Sequence, residues 1–210
     1  MNVLQLVFGL TYTNLNVYLR FGIRLIVEIF RSDPLARVSL PSPDEISSYM
    51  SAFRERHPLL TDCWATMDGL KLHLQASGNS DIQERYYNGW TYNHYVTSIF
   101  CFCPDGTIPI AFFNVPGSVH DSQVAEMGKI YEKLEKIYNE TGGKCCVDSA
   151  FGNMDRQYLY KSCQDMLGSS APTRAERITD LRKKREATLA RQTAEWGMLT
   201  MQASFPRIQD

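Results

Sequence analysis

Cys63-Trp64-Ala65-Thr66-Met67-Asp68-Gly69-Leu70-Lys71-Leu72-His73-Leu74 is the stretch on which the reading of this chain turns. Its first half is an apolar run. In its second half Leu70, Leu72 and Leu74 alternate with Lys71 and His73, the period-two pattern of a strand with one covered face. Asp68 sits where the run changes character. On its own Asp68-Gly69 would read as a hairpin turn.

Downstream, His94 to Cys103 forms a second strand-like run, and Pro104-Asp105-Gly106-Thr107 marks a turn. Ile108 to Val115 gives a third strand, closed by Pro116-Gly117. Between the first two, Asn79 to Trp90 is polar and aromatic, which predicts a loop or irregular hairpin. An amphipathic helix follows, with Val124, Met127, Tyr131, Leu134 and Tyr138 on one stripe, Glu132 and Lys136 spaced to pair, and Gly142-Gly143 as its stop. Lys144 to Asp148 reads as a short buried strand, and residues 151–167 as an amphipathic helix with Tyr158, Leu159 and Cys163 inward. A charged stretch from Arg174 to Glu186 leads to a last helix at about 189–203. Three antiparallel strands, a helical crossover and a further strand imply an α/β domain with a mixed sheet.

Upstream, Leu15, Tyr18, Leu19, Gly22, Ile26 and Ile29 follow helical spacing, with Thr13 and Asn14 as the expected cap and Ser32-Asp33-Pro34 as the break. Pro41-Ser42-Pro43-Asp44-Glu45 opens a second helix, with Ile46, Tyr49, Met50 and Phe53 on one face and His57-Pro58 at its end. The expected organisation is a short helical segment at 1–31, a connecting helix and linker at 32–62, and the α/β domain at 63–210.

Acidic residues recur at the ends of the apolar runs. Asp121 lies in Gly117-Ser118-Val119-His120-Asp121-Ser122, Asp148 in Cys146-Val147-Asp148-Ser149, and Glu195 on the last helix in Arg191-Gln192-Thr193-Ala194-Glu195-Trp196-Gly197. Carboxylates at strand ends and on one helix can converge, and converging carboxylates suit a pair of hard divalent cations. That points to phosphoryl-transfer chemistry on nucleic acid. Each has a plainer reading: Asp121 as a helix N-cap, Glu195 as a solvated side chain. Asp148 ends a buried strand, where an unpaired carboxylate is costly without a cation or several donors. Arg191, one turn before Glu195, is placed to orient that carboxylate or to meet a phosphate. The basic run from Arg182 to Arg185 is either a solvated helix face or a phosphate track. His73 and His120 read as structural.

A formal net charge of −1 over 210 residues gives no global footprint for nucleic acid, so any such contact must rest on local basic patches. The six cysteines include no C-x-x-C pair, which argues against zinc and for small buried hydrophobes in a reducing compartment. Asn14, Asn16, Arg20, Arg24 and Glu28 interrupt the apolar first thirty residues before they reach the ~20 residues of a membrane span, and no leader pattern is present. The expectation is a soluble intracellular protein.

Taken together, Met67-Asp68-Gly69, Pro116 to Ser122, Val147-Asp148-Ser149-Ala150-Phe151 and Arg191 to Met198 with Ser204-Phe205-Pro206-Arg207 resemble the transposase-derived nucleases of the Harbinger type, of the DDE superfamily endonucleases. The four pieces come in the expected order over roughly residues 60–210. The resemblance implies a ribonuclease H-like mixed sheet flanked by helices, with Asp68, Asp148 and Glu195 as the catalytic triad and Asp121 as a further metal-site acid. It implies Mg²⁺ or Mn²⁺, DNA as substrate, a nuclear location (cytoplasmic for a decayed fragment) and a separate DNA-binding partner protein. Phe8 to Thr13 resembles the end of a helix-turn-helix. The resemblance also implies more helix beyond Asp210 and more chain before Met1, so the sequence reads as a decayed element copy, a fragment or a shortened gene model, in which Glu195 is the least firmly held acid. An inactive, domesticated or decayed DNA-binding or adaptor protein is the alternative.

Overall fold

The computed structural model describes residues 3–75, 78–151, 156–162 and 174–205. The chain divides into two compact units, Met1–Val38 and Ser39–Asp210. In the first, α1 (Val3–Phe8) and α2 (Tyr12–Ser32) are joined through Gly9, whose φ of 63° is left-handed. The cap of α2 is Thr11, not Thr13 or Asn14: its hydroxyl accepts from the Asn14 N–H. Only Leu15 of the expected stripe is buried within this unit, while Tyr18, Leu19, Ile26 and Ile29 are exposed. Among the described residues no helix is long and apolar enough to cross a membrane.

The second unit is built on β1 (Cys63–His73), the central strand of its sheet. β3 (Asn93–Phe102) lies antiparallel to β1 and carries both β4 (Ile110–Pro116) and the two-residue β2 (Tyr87–Asn88). On the other side β5 (Lys144–Val147) runs parallel to β1, and β6 (Leu159–Lys161) parallel to β5. The spatial order β4-β3-β1-β5-β6, three antiparallel strands followed by two parallel ones, is that of a ribonuclease H-like sheet.

Helices cover both faces. Beyond an irregularity between Cys63 and Ala65, β1 alternates regularly, so Ala65 and Met67 face one side and Thr66, Asp68, Leu70 and Leu72 the other. The first side packs against α3 (Pro43–Arg56), α5 (Asp121–Met127) and α6 (Ile130–Thr141) through Ile46, Val124, Ile130, Leu134 and Ile137. A complete capping box of Ser42 and Glu45 starts α3. The second side packs against α7 (Arg174–Ser204), one helix of 31 residues that replaces the expected charged stretch plus separate helix. Ala187, Ala190 and Ala194 form its buried seam, and Gly197 lets it approach β3: a Cβ there would fall 2.7 Å from the Phe102 ring.

Several local expectations are corrected. Asn79 caps a helix, α4 (Ser80–Tyr86), where a loop was expected. The helix predicted through 124–138 is broken at Gly128-Lys129, Lys129 having a φ of 51°. That break leaves Met127 exposed and puts Ile130 and Ile137 inside. Lys136 pairs with Glu140 at 3.9 Å, not with Glu132. Within 151–167 the described residues hold the end of a 3₁₀ turn (Ser149–Phe151) and β6, not an amphipathic helix. Tyr158 and Leu159 are buried as expected, whereas Cys163 lies outside the described residues. Cys63, Cys101, Cys103, Cys145 and Cys146 are buried free thiols.

The start of β1 is locked to β5 and β6 by Asp62. It accepts from Tyr160 Oη at 2.6 Å and pairs with Lys144 Nζ at 3.0 Å, and the lysine also stands over the Tyr160 ring. Burial works against ionisation of Asp62, but Tyr160, Thr61 and Lys144 outweigh it and hold its pKa at about 2. Since the unfolded carboxyl titrates near ~4, this lock contributes stability above that pH and loses it as pH falls toward about 2. Asp62→Asn should therefore flatten the acid limb of a stability–pH curve measured by urea unfolding. Gly197→Ala should cost about 1–3 kcal/mol in the same assay, because the clash with Phe102 exceeds the gain in helix propensity. Relief of that loss by Phe102→Leu would confirm the contact as its cause.

Candidate active site

The parallel register pairs Met67 with Val147, so Asp68 and Asp148 are each the next residue along neighbouring strands. Asp68 still lies within β1, level with the carboxyl end of β5, where Asp148 begins the turn into the 3₁₀ segment. Such carboxyl ends of parallel strands are where ligands bind in open α/β sheets. The end of β5 is fixed by β6: the Ser162 N–H donates to Val147 O at 2.9 Å, and Ser162 Oγ donates to Asp148 Oδ1 at 3.2 Å.

Asp68 is well buried, its side chain 15% exposed. Its Oδ1 accepts from the Gly69 N–H at 2.8 Å, and its Oδ2 accepts from Arg191 Nη1 at 2.8 Å. Burial raises its pKa above the ordinary carboxylate value; the Gly69 N–H and the Arg191 charge oppose the rise, and the charge of Asp148 adds to it.

Asp121 approaches β1 from the opposite face of the sheet, over Gly69, and is electrostatically coupled to Asp148. Gly117 makes this possible, because any Cβ there would lie 2.5 Å from the Tyr95 ring that the chain crosses as it leaves β4. Asn88 Nδ2 donates to Gly117 O at 2.6 Å and pins that crossing. The cap of α5 is His120, whose Nδ1 accepts from the Ser122 N–H at 3.3 Å. The expected competition between capping and a site role at Asp121 therefore does not arise. Its carboxyl stands over Gly69, 3.4 Å from where a Cβ would be. Burial raises its pKa, Lys71 and His120 oppose the rise, and Asp148 again adds to it.

Glu195 joins the group indirectly. Arg191 Nη2 donates to Glu195 Oε1 at 3.0 Å while Nη1 holds Asp68, so one guanidinium ties α7 to β1. The Glu195 side chain is 45% exposed. The Thr66 and Thr193 hydroxyls, 3.0 Å apart, fasten the same turn of α7 to β1. Asp68, Asp121 and Asp148 thus form one electrostatic group, with Glu195 attached through Arg191. Among the described residues no three His, Cys, Asp or Glu side chains are drawn together as a ready metal cage. The donor set is nonetheless all oxygen, and two of its members hold raised pKa values next to a like charge, a combination that favours a hard divalent cation.

Beside Asp148 a cleft of about 380 Å³ opens between the ends of β5 and β6 and α7, lined by Ser149, Arg156, Lys161, Ser162, Lys183 and Lys184, with Asp180 as its acid. Lys183 and Lys184 belong to the basic run singled out in the sequence.

A ribonuclease H-like sheet that brings carboxylates to the ends of its central strands defines a class of nucleic-acid-processing domains. Within it the chain belongs to the DDE superfamily endonucleases, whose family model matches residues 67–209. Asp68, Asp121, Asp148 and Glu195 all fall within that match. No curated protein and no solved structure gives a significant match.

The bridging half of Arg191 toward Asp68, the threonine pair and the Gly197 contact were not read from the sequence. Small residues at 187, 190, 194 and 197 were the available signal for the α7 seam.

Because the folded state keeps the Asp121 proton to higher pH than the unfolded chain does, stability falls as pH rises from the ordinary carboxylate range through the raised value. Asp121→Asn should therefore raise the melting temperature of the metal-free protein at pH 7, and this gain should shrink below pH 4. A lower melting temperature at pH 7 would show that the Asp121 charge is stabilising.

Proposed function

We propose that this domain cleaves DNA phosphodiester bonds in a divalent-metal-dependent, transposase-type reaction of the Harbinger kind. Asp68, Asp148 and Glu195 are its catalytic acids and Asp121 is a further metal ligand. The observation that carries the reading is the placement of Asp68 and Asp148 one residue beyond the paired Met67 and Val147, at the centre of a ribonuclease H-like sheet. Mg²⁺ or Mn²⁺ bound there would supply an activated water or hydroxyl and charge stabilisation at the leaving oxygen.

The chain's own residues have distinct parts in this. Asp68 presents its oxygens from the central strand and Asp148 from the residue that follows β5, anchored by Ser162, the kind of support that a metal site needs. Asp121 adds a carboxyl from the opposite face, and Glu195 one from α7. Lys161 and Lys183, in the cleft lined by Ser149 and Ser162, suit the sugar–phosphate backbone and add local positive charge that the net charge of −1 does not, while Lys184 pairs with Asp180 at 3.0 Å. That weak overall field also supports the participation of a separate DNA-binding partner protein in the nucleus, where the substrate is found.

Purified protein should nick supercoiled plasmid with Mg²⁺ or Mn²⁺ and not with a chelator, and Asp148→Asn should reduce nicking to background. In parallel, saturating Mn²⁺ should raise thermal stability, by about 2.7 kcal/mol at a hundredfold excess over Kd. Asp68→Asn with Asp148→Asn should remove that rise. Equal nicking by the Asp148 variant, or an equal rise in the double variant, would overturn the proposal.

A further inference from the structure

We infer that Arg191 is a resident stand-in cation: it ties Asp68 and Glu195 together while the site holds no metal, and is displaced when a divalent ion binds. This rests on the reading of these acids as a metal site.

The geometry is that of a shared ligand position. The two Nη atoms of one guanidinium contact Asp68 Oδ2 at 2.8 Å and Glu195 Oε1 at 3.0 Å, and those carboxyls come from β1 and α7. Arg191 lies one helical turn before Glu195, on the same face of α7, so it can reach both. A planar fork suits this bridge, whereas a lysine ammonium would act as a single point charge. The arginine side chain is only 19% exposed, and its Nε is buried with no hydrogen-bond partner among the described residues. The pocket therefore satisfies the carboxylates better than it satisfies the guanidinium.

Charge balance argues the same way. Arg191 brings one positive charge to the two carboxylates that it bridges. A divalent ion brings two charges, and to be held by both Asp68 and Glu195 it must approach the side on which the guanidinium sits. Two cations at that separation repel, so the arginine has to withdraw. Arg191 thus preorganises the acids and lowers the apparent affinity of the site for metal, as any competing occupant does.

The test is titration calorimetry of Mn²⁺ into metal-free protein, with melting temperatures measured alongside, for wild type, Arg191→Gln and Arg191→Lys. The glutamine variant should melt lower without metal yet bind Mn²⁺ at least about tenfold more tightly, with the lysine variant in between. A purely structural arginine would instead lose stability and metal affinity together, and glutamine-variant affinity equal to or below wild type overturns the inference alone. Absence of Mn²⁺ binding from all three proteins overturns it together with the metal-site reading. If the glutamine variant does not fold, lysine-variant affinity no higher than wild type is the overturning result.

Discussion

The parallel pairing of β1 with β5 is the constraint on which the site depends. Because Met67 lies opposite Val147, the chain must present two carboxylates side by side as it leaves the paired region. A slip of one residue would turn Asp68 away from α7 and put Met67 there, exchanging core for site along the strand. The register is held by features that have no chemical part to play. The apolar residues of both strands are buried against helices on two sides, and the Asp62–Lys144–Tyr160 lock sits at one end. Ser162 closes the other end, beside Asp148 itself.

Placing these acids together works against folding. Burial and the charge of Asp148 raise Asp68 and Asp121, so each ionised carboxyl is less favourable in the folded chain than in the unfolded one. The cost is met by the sheet and by Arg191, which partners two of the four acids. Stability and site geometry are thereby coupled through α7. The small-residue seam of Ala187, Ala190, Ala194 and Gly197 brings the helix close enough for one side chain to reach across to β1.

The strands and the acids were legible in the sequence for a physical reason. A half-buried antiparallel strand writes a period of two, and a carboxylate at the end of an apolar run stands out against it. β6 was not legible, because Leu159-Tyr160-Lys161 is too short to show a period and its flanking residues mimic a helical stripe. α4 was missed because its residues are mostly exposed, leaving no apolar face to read. The break at Gly128-Lys129 was hidden because Val124, Tyr131, Leu134 and Tyr138 keep helical spacing across it. Least legible was the Arg191–Asp68 contact. Its partners are 123 residues apart, and only the folded sheet brings them together.

The central claim is that Asp68 and Asp148 share a divalent ion, and locating that ion tests it most directly. Crystals grown with Mn²⁺ and measured at the manganese absorption edge should show an anomalous peak in contact with both carboxylates, and Asp148→Asn crystals should lack it. Mn²⁺ bound away from both residues, or an unchanged peak in the Asp148 variant, would contradict it.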